Sequence, residues 1–378
     1  MSTLKVAAIQ GVSASSDAIT LANDGTCTAN ITNNLSNRNL IINGAMQVAQ
    51  RGTSSTSVGF QTVDRFNVGN SGSDETPTQA QVNVDAGTTP YTLGFRKAFK
   101  LTNGNQTSGA GAGDFVFIKY TVEAQDIATS GWNFKSASSD ITLSFWAKSS
   151  VAQNFFGYIE VPDSPAQVFP FQTGSLSADT WTKITVTIPG NSNIVVNNDN
   201  GEGFKIFISQ FWGTNFTDSG RALNTWAAYN SGQRMPDFTS TWYTTNDATF
   251  EITGVQLEVG SVATDFEHRS FAQELQLCRR YFQIIGSNVG EGQNSSNIQG
   301  TIQAIPFMRA NPSMAIIDNS NNVGLAGTGS NSVTSIGTIY VEGESLGMGG
   351  WVEMGGSGFT ANRQYHIYGG KFSFSAEL

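Results

Sequence analysis

The sequence predicts an all-β protein with an extended N-terminal arm, a β-sandwich of jelly-roll type, one linking helix and a smaller C-terminal β domain. Three observations carry that reading. From about residue 90 to 260, short apolar stretches follow one another with turn residues between them. Several of these stretches alternate apolar and polar side chains, the period of a half-buried strand. Helical spacing is confined to one segment after Ser270, and strands without intervening helices favour two packed sheets over an α/β architecture.

Residues 1–38 come first and differ in character. "LKVAAIQ", "DAITLANDGT" and "TANITNNL" are weakly apolar and rich in Asn, Thr and Ser. Pieces this short build no core alone, so they read as an arm that orders against a partner surface.

Residues 39–269 hold the sandwich. In "ITLSFWAK", Ile141, Leu143, Phe145 and Ala147 share one face and leave Trp146 on the other. In "TKITVTIPG", Ile184, Val186 and Ile188 alternate with Lys and Thr until Pro189-Gly190 stops the run. "FVFIKYTV", "NFFGYIEV" and "FKIFISQFW" are more continuously apolar, which suits strands covered on both sides or at a subunit contact. In "TFEITGVQLEV" the apolar phase moves from even positions (Phe250, Ile252) to odd ones (Val255, Leu257, Val259). A one-residue slip turns the buried face outward unless a residue is bulged out, so the spacing predicts a β-bulge at Gly254.

Residues 270–286 read as the linking helix. Ser270 and Gln273 form an S-x-x-Q capping box, with Phe271, Leu275, Cys278 and Phe282 on one face behind it. Arg279 and Arg280 suit the C-terminal end of the dipole, and Gly286 can close the helix. The apolar stripe is expected to pack against a neighbour. Residues 287–378 return to short, Gly-rich β pieces such as "TIQAIPF", "GTIYVEG" and "YHIYGGKFSFSAEL".

Composition narrows the function. Charged residues make up 13% of the chain and Gly supplies 41 of 378 residues, against ~25% charged and ~7% Gly in ordinary domains. The surface must then be rich in Asn, Gln, Ser and Thr, which bind by hydrogen bonding and stacking with little dependence on salt. A net charge of −9, from 20 basic and 29 acidic residues, offers no phosphate-neutralising patch, so no nucleic-acid partner is expected. No stretch approaches the ~20 apolar residues of a membrane-spanning helix, and no signal-peptide pattern opens the chain. Cys27 and Cys278 do not make a disulfide framework, and thiols kept in a reducing cytoplasm are the simpler expectation. His268 and His366 are the only histidines. Neither lies in a metal-ligand or nucleophile motif, so no metal, cofactor or triad is expected.

The segments "NLIINGAMQVAQRGTS" (39–54), "DRF" (64–66) and "GVQLEVGSVATDFEHRSFAQELQLCRRYF" (254–282) resemble a group of bacteriophage tail-fibre and virion-appendage proteins. In that group a carbohydrate-binding-module-like sandwich opens on N-x-x-x-N-G-x-M/F-x-x-x-Q-R-G and closes on G-x-Q-L-E-x-G-x-x-A-T-x-F-E-x-R, followed by E-L-x-x-C-x-R-Y. The likeness runs from Asn39 to Tyr281 and is specific at both ends but not between them. Residues 1–38 resemble the virion-attachment arms of such proteins. The resemblance implies a non-enzymatic homotrimer on the virion, assembled in the host cytoplasm, joined to other virion proteins through residues 1–38 and attached to host-surface glycan.

Candidate glycan-binding residues follow from where aromatics crowd among polar side chains. Trp212, Trp226, Tyr229, Trp242 and Tyr243 lie in or beside such a stretch, and alternation places Trp146 on an outward face. A sugar site needs this mixture of flat apolar faces and hydrogen-bonding groups. Burial in the sandwich core is the competing account of each Trp. Glu251, Glu258, Asp265 and Glu267 could supply the paired carboxylates of a glycan depolymerase, or serve as partners for Arg269 and Arg279. "VNNDNGEGF" (196–204) is an oxygen-rich turn that could hold Ca²⁺, but it lacks the spacing of an EF-hand loop and an ordinary Asn/Gly turn is the simpler account. A capsid decoration or cement protein without receptor role is the structural alternative.

Overall fold

A computed structural model describes residues 6–10, 12, 19–21, 27–29, 38–302, 308–317, 322–325, 328–341 and 350–378. In the arm, β1 (Ala8–Ile9), β2 (Ile19–Leu21) and β3 (Cys27–Ala29) pair antiparallel in that order. Val6, Ile9 and Leu21 expose apolar side chains there. Residues 1–5, 11, 13–18, 22–26 and 30–37 lie outside the described set.

The sandwich begins with β4 (Ser54–Ser55), β5 (Phe66–Ser71), β6 (Thr78–Asn83), the short helix α1 (Thr89–Thr92), β7 (Lys97–Thr102) and β8 (Phe115–Glu123). After α2 (Ala124–Ala128) come β9 (Asp140–Ser149), β10 (Gln153–Val161), β11 (Gln167–Leu176), β12 (Thr182–Pro189) and β13 (Glu202–Trp212). It ends with β14 (Ala227–Ala228), α3 (Thr241–Thr244) and β15 (Thr249–Val259). Two six-stranded sheets result, ordered β14-β11-β10-β13-β8-β5 and β12-β9-β15-β7-β6-β4. Both are antiparallel throughout their ladders. The alternation read from the sequence decides which side chains fill the space between them. Ile141, Leu143, Phe145 and Ala147 of β9 are buried with Ile184, Val186 and Ile188 of β12 against Ile118, Ile206 and Phe169 of the facing sheet.

The predicted bulge is present. Thr253 faces Trp146 and Gln256 faces Ser144, three steps along β15 against two along β9. Gly254 takes φ 64°, and a Cβ there would stand 2.6 Å from Phe95 Cζ. Gly254→Val is therefore strained twice, by backbone and by contact, and should destabilise by about 1–3 kcal/mol. A melting temperature equal to that of the parent would remove both arguments.

The two recognisable sequence segments meet in space. Asn39 Oδ1 accepts from Ile41 N (2.9 Å) and Leu257 N (3.1 Å), while its Nδ2 donates to the Val255 carbonyl (3.2 Å). Asn43 donates from Nδ2 to the carbonyls of Val48 and Asp64 and accepts from Val48 N. Gly44 packs so close that a Cβ would lie 2.1 Å from the Val255 carbonyl oxygen. Arg269 donates to the carbonyls of Asn39 and Ile41 and to Glu274. These groups fasten the entry of the sandwich to its exit.

The capping box also forms, but the helix is shorter than its pattern. α4 runs Phe271–Arg279, and β16 (Phe282–Gly292) starts almost at once, so Gly286 lies inside a strand and closes no helix. The buried face is also rotated. Glu274 and Cys278 are buried while Phe271 is exposed, because Glu274 is drawn in by Asn43 N (2.5 Å) and Arg269 (3.3 Å). Burial pushes the Cys278 thiol well up, as expected of an inert packing residue.

The C-terminal sheet adds β17 (Asn297–Ile302), β18 (Ser313–Ile316), β19 (Asn322–Leu325), β20 (Thr328–Val341), β21 (Gly350–Gly356) and β22 (Gln364–Ser375). Its order is β16-β17-β21-β20-β19-β22-β18, and β22 also pairs with β16, so the sheet closes into a ring. Closure leaves few free edges. Ile298, Met354, Tyr365, Phe372 and Phe374 fill a small separate core.

A buried charge network joins ring and sandwich. Glu123 of β8 accepts from Arg280 (2.9 Å) and Tyr281 Oη (2.5 Å), with Arg309 3.9 Å away. Burial pushes the Glu123 carboxyl up, but these donors outweigh it and leave it below its ordinary value. Arg65, 1% exposed, pairs with Glu377, donates to the Thr121 carbonyl (2.7 Å) and lies 3.4 Å from the Tyr281 ring centroid. Nearby, burial pushes the Asp64 carboxyl up to about 6 against two hydrogen bonds from Gln50.

Candidate sugar-binding pocket

The bulge and the outward tryptophan sit side by side. Trp146 is half-buried on the outer face of the sheet, opposite Lys183 on β12 and Thr253 on β15. Next to Thr253, Gly254 presents no side chain, and Phe95 packs into the space this leaves. Phe95, Phe266 and His268 then stand as an aromatic wall. Their ring centroids are 4.9 Å apart for Phe95–Phe266, 5.2 Å for Phe95–His268 and 4.9 Å for Phe266–His268. The pocket so enclosed measures about 230 Å³ and is completed by Leu93, Ser144, Lys183, Thr264 and Asp265.

Hydrogen bonds hold its rim. Glu258, fully buried, accepts from Thr264 N (2.8 Å) and Thr264 Oγ1 (2.6 Å), and Glu267 N donates to Gln256 Oε1 (2.8 Å). His268 Nε2–H donates to the Leu93 carbonyl (2.9 Å), which ties the rim to the turn after α1. These bonds fix the shape of the pocket. Beside it, Trp181 is half-buried with the Lys148 ammonium 5.2 Å from its ring centroid, and Lys148 pairs with Glu251 (3.0 Å).

The other sequence candidates are not brought to this place. Trp212 and Tyr229 lie on the outer face of the opposite sheet. There Trp212 is 5% exposed, stacked on Phe117 (5.2 Å, 3°) and Phe115 (4.7 Å), and Arg234 lies 4.9 Å from its ring while donating to Tyr229 Oη (2.9 Å). Phe117 can lie flat because Gly69 offers no Cβ to oppose it. Trp226 packs on Phe169 at the sheet edge and donates Nε1–H to the Pro189 carbonyl (2.7 Å). Trp242 and Tyr243 are corrections. Both are 0% exposed, because α3 turns their segment inward and plugs the end of the sandwich. Trp242 Nε1–H meets the Thr249 carbonyl (3.0 Å), and Tyr243 stacks on Phe211 (4.5 Å).

Sequence reasoning missed Trp181, Lys183, Phe95, Phe266 and His268. Two of these carried a usable signal. In "WTKITVTIP" the buried phase at Ile184, Val186 and Ile188 leaves Trp181 and Lys183 on the outward phase, the same argument that placed Trp146. Of the four carboxylates weighed as a catalytic pair, three have structural partners: Glu251 has Lys148, Glu258 has Thr264, and Glu267 accepts from Asn39 N (2.8 Å), while Asp265 lines the pocket. The 196–204 turn is bonded to Asp163 through Asn197 and to Arg309 through Asn200. Among the described residues no three His, Cys, Asp or Glu side chains gather as a metal site.

No protein-family model matches the chain, and no curated protein matches it. Solved structures do. A putative sugar-binding protein from Bacteroides thetaiotaomicron is 14% identical with a TM-score of 0.31, over 59% of this chain and 100% of that one. The enzymatically active domain of tailspike protein 4 of bacteriophage CBA120 is 12% identical with a TM-score of 0.30, over 59% of this chain and 21% of that one. A family 11 carbohydrate-binding module of a Clostridium thermocellum cellulosomal cellulase is 11% identical with a TM-score of 0.25, over 57% of this chain and 98% of that one.

Proposed function

We propose that the chain is a non-enzymatic bacteriophage virion protein, a tail fibre or receptor-binding appendage, that attaches to host-surface glycan through the pocket on Trp146. The observation that carries the glycan reading is the half-buried Trp146 face inside a rim already fixed by hydrogen bonds. The virion reading rests on the sequence segments around Asn39 and Gly254. A homotrimer docked through residues 1–38 suits both, and the exposed apolar side chains of Val6, Ile9 and Leu21 are what such docking would cover. The commitment of Glu251, Glu258 and Glu267 to structural partners supports binding over hydrolysis.

The test is retention of the purified protein on an array of bacterial-surface oligosaccharides. Trp146→Ala should weaken binding about tenfold, since a lost stacking face is worth roughly 0.5–1.5 kcal/mol beyond its buried area. Binding should change little between low and high salt. Light scattering of the same material should give trimers. A protein that binds no glycan sinks the receptor role and leaves the decoration alternative, and a monomer removes the proposed assembly.

A further inference from the structure

We infer that the Trp146 pocket takes a single neutral pyranose ring, end-on, from the terminus of a host glycan. This rests on the glycan reading above and says which part of a glycan is recognised. The volume is the first argument. At about 230 Å³ the pocket lies below the ~300–1,000 Å³ that hold drug-sized ligands, which leaves space for one ring and its hydroxyls and not for consecutive sugars.

Its walls are the second. A site for the interior of a chain must be open at two ends. Here the Phe95–Phe266–His268 wall stands on one side, and the rim carrying it is bonded to β15 through Glu258 and Gln256 and to the α1 turn through Leu93. A polysaccharide could continue away from the pocket but not through that wall.

The charges are the third. Lys183 and Asp265 line the pocket, and neither side chain has a hydrogen bond or ion pair with another described residue. An ammonium offers three donors and a carboxylate only acceptors, so together they can serve sugar hydroxyls in both roles. Their charges also offset, so the pocket has no net preference for an anionic sugar. The ring's C–H face would lie on Trp146, with the hydroxyls toward Lys183 and Asp265.

The inference is tested by isothermal titration of the full-length protein with methyl glycosides of neutral hexoses and of uronic and sialic acids. These are compared with oligosaccharides that carry the same sugars at the non-reducing end or only internally. The expected result is that one neutral methyl glycoside binds within about threefold of the oligosaccharide ending in it. Oligosaccharides holding that sugar only internally should not bind. Asp265→Asn and Lys183→Met, at exposed positions that leave the fold intact, should each weaken binding about tenfold, as should Trp146→Ala. If an oligosaccharide binds a hundredfold more tightly than its terminal glycoside, or binds through internal sugars, end-on recognition is overturned while the glycan reading stands. An acidic sugar as the best ligand overturns the neutral assignment. Binding that survives all three substitutions moves the site elsewhere, and no binding to any carbohydrate overturns both readings.

Discussion

Trp242→Ala should cost about 3–5 kcal/mol of stability in urea denaturation and leave glycan affinity unchanged, as expected for truncating a fully buried Trp. The ring is 0% exposed and belongs to the main core between the sheets. Its Nε1–H donor is matched by the Thr249 carbonyl and its backbone N–H by Gln153 Oε1 (2.9 Å). Asn103 Nδ2 gathers the carbonyls of Trp242, Tyr243 and Thr245, so the α3 turn is fixed to the strand end at Asn103 and has no freedom to collapse into the void. Cavities that cannot collapse lie at the costly end of the range. A variant that unfolds like the parent but loses glycan binding would reverse the assignment of Trp242 to the core.

Arg65→Met is expected to cost a similar ~3–5 kcal/mol, the penalty of leaving half of a buried ion pair uncompensated. Among the described residues Glu377 would keep only Arg51 (3.2 Å), and the Thr121 carbonyl would lose its Arg65 donor. The contact with the Tyr281 ring would go as well. If the loss is electrostatic, adding Glu377→Gln should recover a measurable part of it, because the second change removes the stranded charge. Urea is the denaturant to use, since guanidinium would screen the effect under study. A double variant as unstable as the sum of the singles would assign the cost to packing.

Why some of this was legible and some was not follows from what each residue answers to. Trp146 and the Gly254 bulge were readable because both are consequences of period-two alternation, which sequence displays directly. The recognisable segments around Asn39 and Gly254 were specific because their side chains bond to backbone groups more than two hundred residues away, as Asn39 does to Val255 and Leu257. They encode the fastening of the sandwich more than its binding surface, although Phe266 and His268 of the second segment turn into the pocket. Trp242 and Tyr243 stand among polar residues such as Asn246 and Asp247, the mixture of a sugar site, while one turn of helix is enough to bury both rings. Phe271 was misjudged for the opposite reason. Helical spacing marked it as buried, but the buried face was set by Glu274 and its partners Asn43 and Arg269.

The Arg65–Glu377 pair spans 312 positions of the chain, and this has a consequence for how the protein is made. The sandwich strands can pair as they leave the ribosome, but the counter-charge for Arg65 is among the later residues synthesised. At ~5–20 residues per second, on the order of tens of seconds separate the two. Throughout that interval the guanidinium has no carboxylate to meet, and burying it is unfavourable. Completion of the sandwich is thereby coupled to the segment just after β22, and a chain halted before residue 377 leaves the buried Arg65 guanidinium without its carboxylate partner. The joint thus makes the burial of one sandwich residue depend on a carboxylate 312 positions further along the chain.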